Sequence, residues 1–318
     1  MTLLHKLLWL FPDILSSFTA SREFCQLNRS LFQPHSNDSS GIILVEVNTQ
    51  CSSHIAYSYL ANVLSNSFNS KIIGHVIPTR GKSNLFKKFL EYFNFNPFSI
   101  YRSFGVDKFL FCDPTAHQRA RAKKLARQFS FSVRSLVDIE NYRVDSVLVG
   151  DLLYDSYLRY YKKPTIKIDS LEFKQYLLQF FEEFVFWKAY ISSNPVRAVC
   201  VSHCVYNIAL PLRIAAHFDI PSFQITLTHL YRLNSSNLFS YTDFRDFPEI
   251  FKSLPLSVQR SGLQIAQERI DLRFKGTVAV DMHYSTKSAF LHTYSRSLIK
   301  HSSKIKVFVA AHCFFDSP

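Results

Sequence analysis

Short apolar runs rich in β-branched residues recur along this chain, each followed by a segment of helical spacing, and that alternation constrains the fold more than any other feature. The first run is Gly41-Ile-Ile-Leu-Val-Glu-Val47, with a polar turn over 48–53 and a helical pattern over 54–64 behind it. Residues 71–77 and 108–112 give the next strands, with helical segments at 84–93 and 115–129. The alternation resumes with a strand at 198–202, a helix at 207–218 and a strand at 222–227. Strands alternating with helices predict βαβ units and a parallel sheet covered on both faces, so an α/β, Rossmann-like domain is expected.

The middle of the chain is more helical. Residues 150–161 read as one helix and 171–191 as a longer one, with Phe173, Leu177, Phe180, Phe181, Phe184, Trp187 and Ile191 on a single, core-facing side. Asn194-Pro195 ends it. A loop is expected over 231–247, then helices at 255–274 and 289–297.

The ends frame the domain. Met1 to Phe18 reads as a short helix, because Pro12 and Asp13 interrupt the apolar stretch an export signal would need. Residues 19–40 are polar, with Pro34-His-Ser-Asn-Asp-Ser-Ser40 as a linker, which places the main domain at 41–303. Residues 304–311 form a parallel-type strand followed by neither a helix nor another strand in 312–318. That strand opens a second, similar domain, or else completes the first sheet.

Composition removes several classes. Seven glycines include no GxGxxG or phosphate-loop pattern. No run reaches the roughly 18 apolar residues that span a bilayer. Cys25, Cys51, Cys112, Cys200, Cys204 and Cys313 lack CxxC spacing and read as free thiols of a reducing compartment, so a cytoplasmic location is expected. His203-Cys204 and His312-Cys313 are adjacent pairs whose side chains point to opposite faces of a strand, and no metal is expected from them. The formal charge of +13 favours anionic partners. Arg119, Arg121, Lys123, Lys124 and Arg127 concentrate part of it on the 115–129 helix, either as a solvated face or as a contact with anionic lipid headgroups. Nucleic acid is not expected, since no helix-turn-helix, zinc-finger or RNP-like motif accompanies the charge.

Three segments carry a resemblance. Val149-Gly-Asp-Leu-Leu-Tyr-Asp-Ser-Tyr-Leu-Arg159 is one, and Val201-Ser-His-Cys-Val-Tyr-Asn207 with residues 221–233 behind it is another. The third runs from Val280-Asp-Met-His-Tyr-Ser285 to Ala310-Ala-His-Cys-Phe-Phe-Asp316. Together they resemble bacterial surface-carbohydrate proteins of capsule and lipopolysaccharide O-antigen assembly that are similar to glycosyltransferases of the two-domain GT-B type. The resemblance implies transfer of a sugar from a nucleotide-activated donor to a glycan or lipid-linked glycan acceptor, with no cofactor beyond that donor. It also implies work at the inner face of the cytoplasmic membrane, with the acceptor meeting the N-terminal domain and the donor the C-terminal one. A non-catalytic acceptor-domain remnant or binding module, and a nucleotide-sugar epimerase, are the alternatives.

Ligands of open parallel sheets bind beyond the carboxyl ends of the strands, which singles out Asn48, Thr49, Asp113, His203 and His312. His203 is the first candidate for general base, because imidazole titrates near neutral pH. Asp151, Asp155 and Arg159 form an i, i+4, i+8 row on one helix face. The row reads either as a surface ladder or as a cleft wall in which Asp155 activates an acceptor hydroxyl and Arg159 holds an anion. His229, Tyr231 and Arg232 follow the 222–227 strand and are candidate acceptor contacts.

Overall fold

The computed structural model describes residues 22–32, 39–48, 54–76, 99–226, 229–239, 247–280 and 288. Those up to 239 belong to one unit and those from 247 to another. The first unit has a helix α1 over 22–31, β1 Gly41–Val47, α2 His54–Ser67, β2 Ser70–Val76, α3 Ser99–Arg102 and β3 Val106–Phe111. Then come α4 Ala116–Ser132, α5 Leu136–Glu140, β4 Arg143–Val144, β5 Val147–Leu148, α6 Gly150–Tyr161 and α7 Leu171–Ser193. β6 Val196–Val201, a 3₁₀ turn Asn207–Ala209, α8 Leu210–His217, β7 Ser222–Ile225 and β8 Leu230–Leu233 complete it.

The main sheet has the order β3-β2-β1-β6-β7-β8. Every neighbouring pair is parallel except β7 with β8. The fold is therefore α/β, with a mostly parallel central sheet flanked by helices. Strands step outward from β1 on one side and from β6 on the other, so the chain reverses direction between them. Helix connectors leave the two strands toward opposite faces there, and the carboxyl ends of strands at such a reversal are where open α/β sheets bind ligands.

Both central strands are buried on both faces, which is why they read as unbroken apolar runs. Ile43, Val45, Val47, Ala198 and Cys200 pack with Tyr57 and Ala61 of α2, while Leu44, Val199 and Val201 face the other core with α7 and α8. The expected stripe of α7 is buried in full, from Phe173 to Ile191. Burial of each such side chain stabilises by about 1.5–3 kcal/mol. Ser170 caps the helix start, its Oγ accepting from Phe173 N at 3.2 Å.

Local chemistry fixes the connections near these strand ends. Asp145 and Ser146 turn the β4–β5 hairpin with φ of 50° and 68°, the left-handed pair that a tight two-residue hairpin requires. Gly150 starts α6 where a Cβ would lie 1.6 Å from the Ile139 carbonyl oxygen, so no side chain fits.

Two expectations are corrected. The polar reading of 19–40 gives no ordered element, yet 22–31 is helical and docks through Phe24 and Phe32, whose rings lie 5.9 and 5.3 Å from that of Phe104. Asn28, buried between them, donates to Ser103 Oγ at 3.1 Å. Three inward residues at i, i+4 and i+8 suffice for docking but make a sparse apolar pattern. The loop expected from Tyr231 instead begins inside an antiparallel edge strand, so the sheet is not wholly parallel. Tyr231 and Leu233 point into the core and Leu230 and Arg232 outward, a period of two that a reading of the stretch as polar overlooks.

In the second unit, α9 Phe247–Ser253 and α10 Leu256–Phe274 meet where Phe251 lies against Gly262, and neither helix buries a residue. Among the described residues no helix is long and apolar enough to cross a membrane. The expected elements at 1–18, 84–93, 289–297 and 304–311 lie outside the described residues.

Candidate active site

The carboxyl ends of β1 and β6 hold a buried carboxylate. Glu46 sits at the end of β1 on the face shared with Leu44 and is 1% exposed. It receives three donors: the Ser202 N–H at 2.7 Å, the Ser202 hydroxyl at 2.9 Å and His54 Nε2 at 2.8 Å. Burial alone would raise its pKa, but the hydrogen bonds from His54 and the Ser202 N–H hold it below the ordinary carboxylate value. Glu46 is therefore ionised and accepts only.

That state fixes the proton positions around it. The Ser202 Oγ lies 2.9 Å from both carboxylate oxygens, so its proton points to Glu46. Oγ is also 2.7 Å from Nδ1 of His203, and with its proton committed it accepts from that nitrogen. His203 is thereby held as the tautomer that donates through Nδ1, with the half-buried ring oriented by Ser202. Ser202 is an orienting group and not a nucleophile, because the imidazole donates to its oxygen and does not take its proton.

A second histidine lies beside the carboxylate. His75 of β2 is in register with Glu46 and packs edge-on to Trp187 at 5.1 Å. Burial pushes its pKa down to about 4 against the pull of Glu46, so it is neutral near pH 7. Burial likewise pushes the Cys200 thiol up to about 12 and raises that of Cys112, leaving both unreactive.

The turn that presents His203 is strained and braced. Tyr206 has φ 62° and ψ 176°, a conformation that suits glycine, and the structure around it must hold it there. Asn207 N donates to Ser156 Oγ at 2.6 Å and Asn207 Nδ2 to Glu183 at 2.8 Å, while the Arg159 guanidinium lies 4.3 Å over the Tyr206 ring. The His203 and Tyr206 rings are 6.4 Å apart. Helix α6 thus lines the turn that carries the base.

The expected residues fall into distinct places. His203 and Arg159 are brought together through Tyr206. Asp155, half-buried on α6, does not belong to a simple charged ladder, since Asp151 pairs with Arg213 at 2.9 Å and Arg159 stacks on Tyr206. Asn48 stands at the end of β1 with its amide nitrogen 3.3 Å from His54 Nε2, and its carbonyl accepts from Tyr101 at 2.9 Å. His229 is exposed in the β7–β8 turn and stacks on Tyr231 at 5.7 Å. Tyr231 is core, 7% exposed, and Arg232 faces solvent. Asp113 is half-exposed near Arg119 at 3.5 Å. Thr49 and His312 lie outside the described residues.

Sequence reasoning missed Glu46, His54, His75 and Ser202. One signal was present: a glutamate inside Val-Glu-Val of a doubly buried strand must have partners, because an unpaired buried charge is too costly to keep. Among the described residues no three His, Cys, Asp or Glu side chains are grouped to hold a metal ion. No protein-family model matches this chain, and no curated protein or solved structure does.

Proposed function

We propose that this protein belongs to a glycosyl-transfer system of GT-B type, taking a sugar from a nucleotide-activated donor to a glycan or lipid-linked glycan acceptor of a bacterial surface polysaccharide. The observation that carries the reading is the Glu46–Ser202–His203 chain of hydrogen bonds at the strand reversal. Such a relay orients the His203 imidazole at the carboxyl ends of the central strands, and attack by a sugar hydroxyl needs a group there to take its proton. The proton would pass from the acceptor oxygen to Nε2 as the glycosyl bond forms and the nucleoside phosphate leaves. Glu46 would stabilise the resulting imidazolium through Ser202. Arg159 of α6 and Asn48 at the end of β1 are the proposed substrate contacts. The exposed basic face of α4 supports contact with anionic lipid, where lipid-linked acceptors reside.

The test is release of nucleoside phosphate from UDP-, GDP-, dTDP- and CMP-sugars by the full chain with lipid-linked acceptors. His203→Asn is expected to lower turnover by about 10²–10⁴. Asp155→Asn, the other base candidate, is expected to stay within about tenfold of the parent chain, below the range of a general base. Turnover unchanged by His203→Asn contradicts the assignment of the base. A chain that binds glycan but turns over none of these donors is a binding module instead.

A further inference from the structure

Arg213 of α8 is the largest fully buried side chain of the described residues, at 1% exposure. Four of its donor contacts are made. One terminal nitrogen reaches Leu148 O and Asp151 Oδ1, both at 3.1 Å, and the other reaches Asp151 Oδ2 at 2.9 Å and Cys204 O at 3.4 Å. The Nε–H has no hydrogen-bond partner among the described residues. A buried guanidinium N–H without an acceptor is costly, and the guanidinium carbon lies 5.4 Å over the Phe239 ring.

Arg213 also lines a cavity of about 90 Å³, whose other polar lining is Arg143, Ser146, His217 and Ser235. One water needs roughly 10–15 Å³ by the same measure, so the space holds several oxygen atoms. Asp151 offsets one positive charge, but both of its oxygens are engaged by Arg213. Arg143, exposed and bonded to Ser146 O at 3.1 Å, adds a second guanidinium at the rim. Two guanidinium groups, an imidazole and two serines suit a compact acceptor-rich ligand.

We infer that this cavity binds a small oxyanion, either free phosphate or the phosphate group of a larger ligand. The inference is independent of the site at His203, and a failure of one leaves the other standing. Calorimetric titration with inorganic phosphate, and separately with glycerol 1-phosphate, at constant ionic strength distinguishes the two sources by which binds more tightly. Arg143→Gln combined with His217→Asn, both outside the buried core, is expected to weaken binding by about tenfold or more. The Arg213 Nε–H resonance is expected to shift as phosphate saturates the parent chain. Absence of saturable binding of either compound at millimolar concentration overturns the inference. So does binding unchanged in the double variant, or an Arg213 resonance that stays in place at saturation.

Discussion

Ser202 Oγ lies 2.7 Å from Nδ1 of His203, with its own proton directed to the Glu46 carboxylate. Ser202, just past the end of β6, is thereby tied to a residue 156 positions earlier, and His203 is tied to it through Ser202. The tie crosses the one place where the strand order reverses, so the central pairing of the sheet and the proton state of His203 depend on the same contacts.

Glu46→Gln keeps the shape of the side chain and removes its charge. Its amide nitrogen would then face donors from Ser202 or His54 in a site 1% exposed. The expected cost is about 3 kcal/mol, read as a lowered urea midpoint with an unchanged slope. Ser202→Ala, which removes the hydroxyl alone, should cost about 1–2 kcal/mol.

His75 makes stability pH-dependent. Its folded-state pKa of about 4 lies below the ordinary value of 6.5, so between those values the unfolded chain binds more protons. Stability is full above pH 6.5 and falls as the pH drops toward 4, by about 3 kcal/mol from this group. Glu46, also lowered, adds to the loss below its ordinary value of 4.5. Urea denaturation at a series of pH values should show the decline, and His75→Gln should flatten it between pH 6.5 and 5.

The exposed face of α4 should carry any attraction to anionic membranes. Arg119, Lys123 and Arg127 are exposed, whereas Ala122, Leu125 and Phe129 on the same helix are buried, so Gln at the first three positions leaves packing intact. Sedimentation with phosphatidylglycerol vesicles should fall in the triple variant. For the parent chain it should weaken as the Debye length shrinks from about 10 Å at 0.1 M salt to about 3 Å at 1 M.

Much of the fold was legible because parallel strands buried on both faces are continuous apolar runs. β1 and β6 announce themselves that way and the stripe of α7 by its helical spacing, whereas β3, at the sheet edge, exposes Asp107 and Lys108 and shows only the short run Phe109-Leu-Phe111. Helix α6 was read with both of its ends at Gly150 and Tyr161, and in the structure Lys162 closes it in the left-handed conformation. What escaped depends on partners distant in sequence. Helix α1 is held by Phe104 and Ser103, and β8 takes its place from β7. In the site, the strand-end rule located His203 and Asn48, but the carboxylate that orients His203 lies inside a strand and looked like an exception to an apolar run. Asp151 looked like one rung of a helix ladder, whereas its partner, Arg213, is hidden within Leu-Pro-Leu-Arg-Ile.

The relay is tested most directly by the imidazole nitrogen resonances of His203 in uniformly ¹⁵N-labelled protein above the imidazole titration range. Above that range the ring is expected to carry its proton on Nδ1 with Nε2 unprotonated, and the balance to shift toward Nε2–H in Ser202→Ala. A parent protein whose His203 carries its proton on Nε2, or a tautomer unaffected by Ser202→Ala, would contradict the relay.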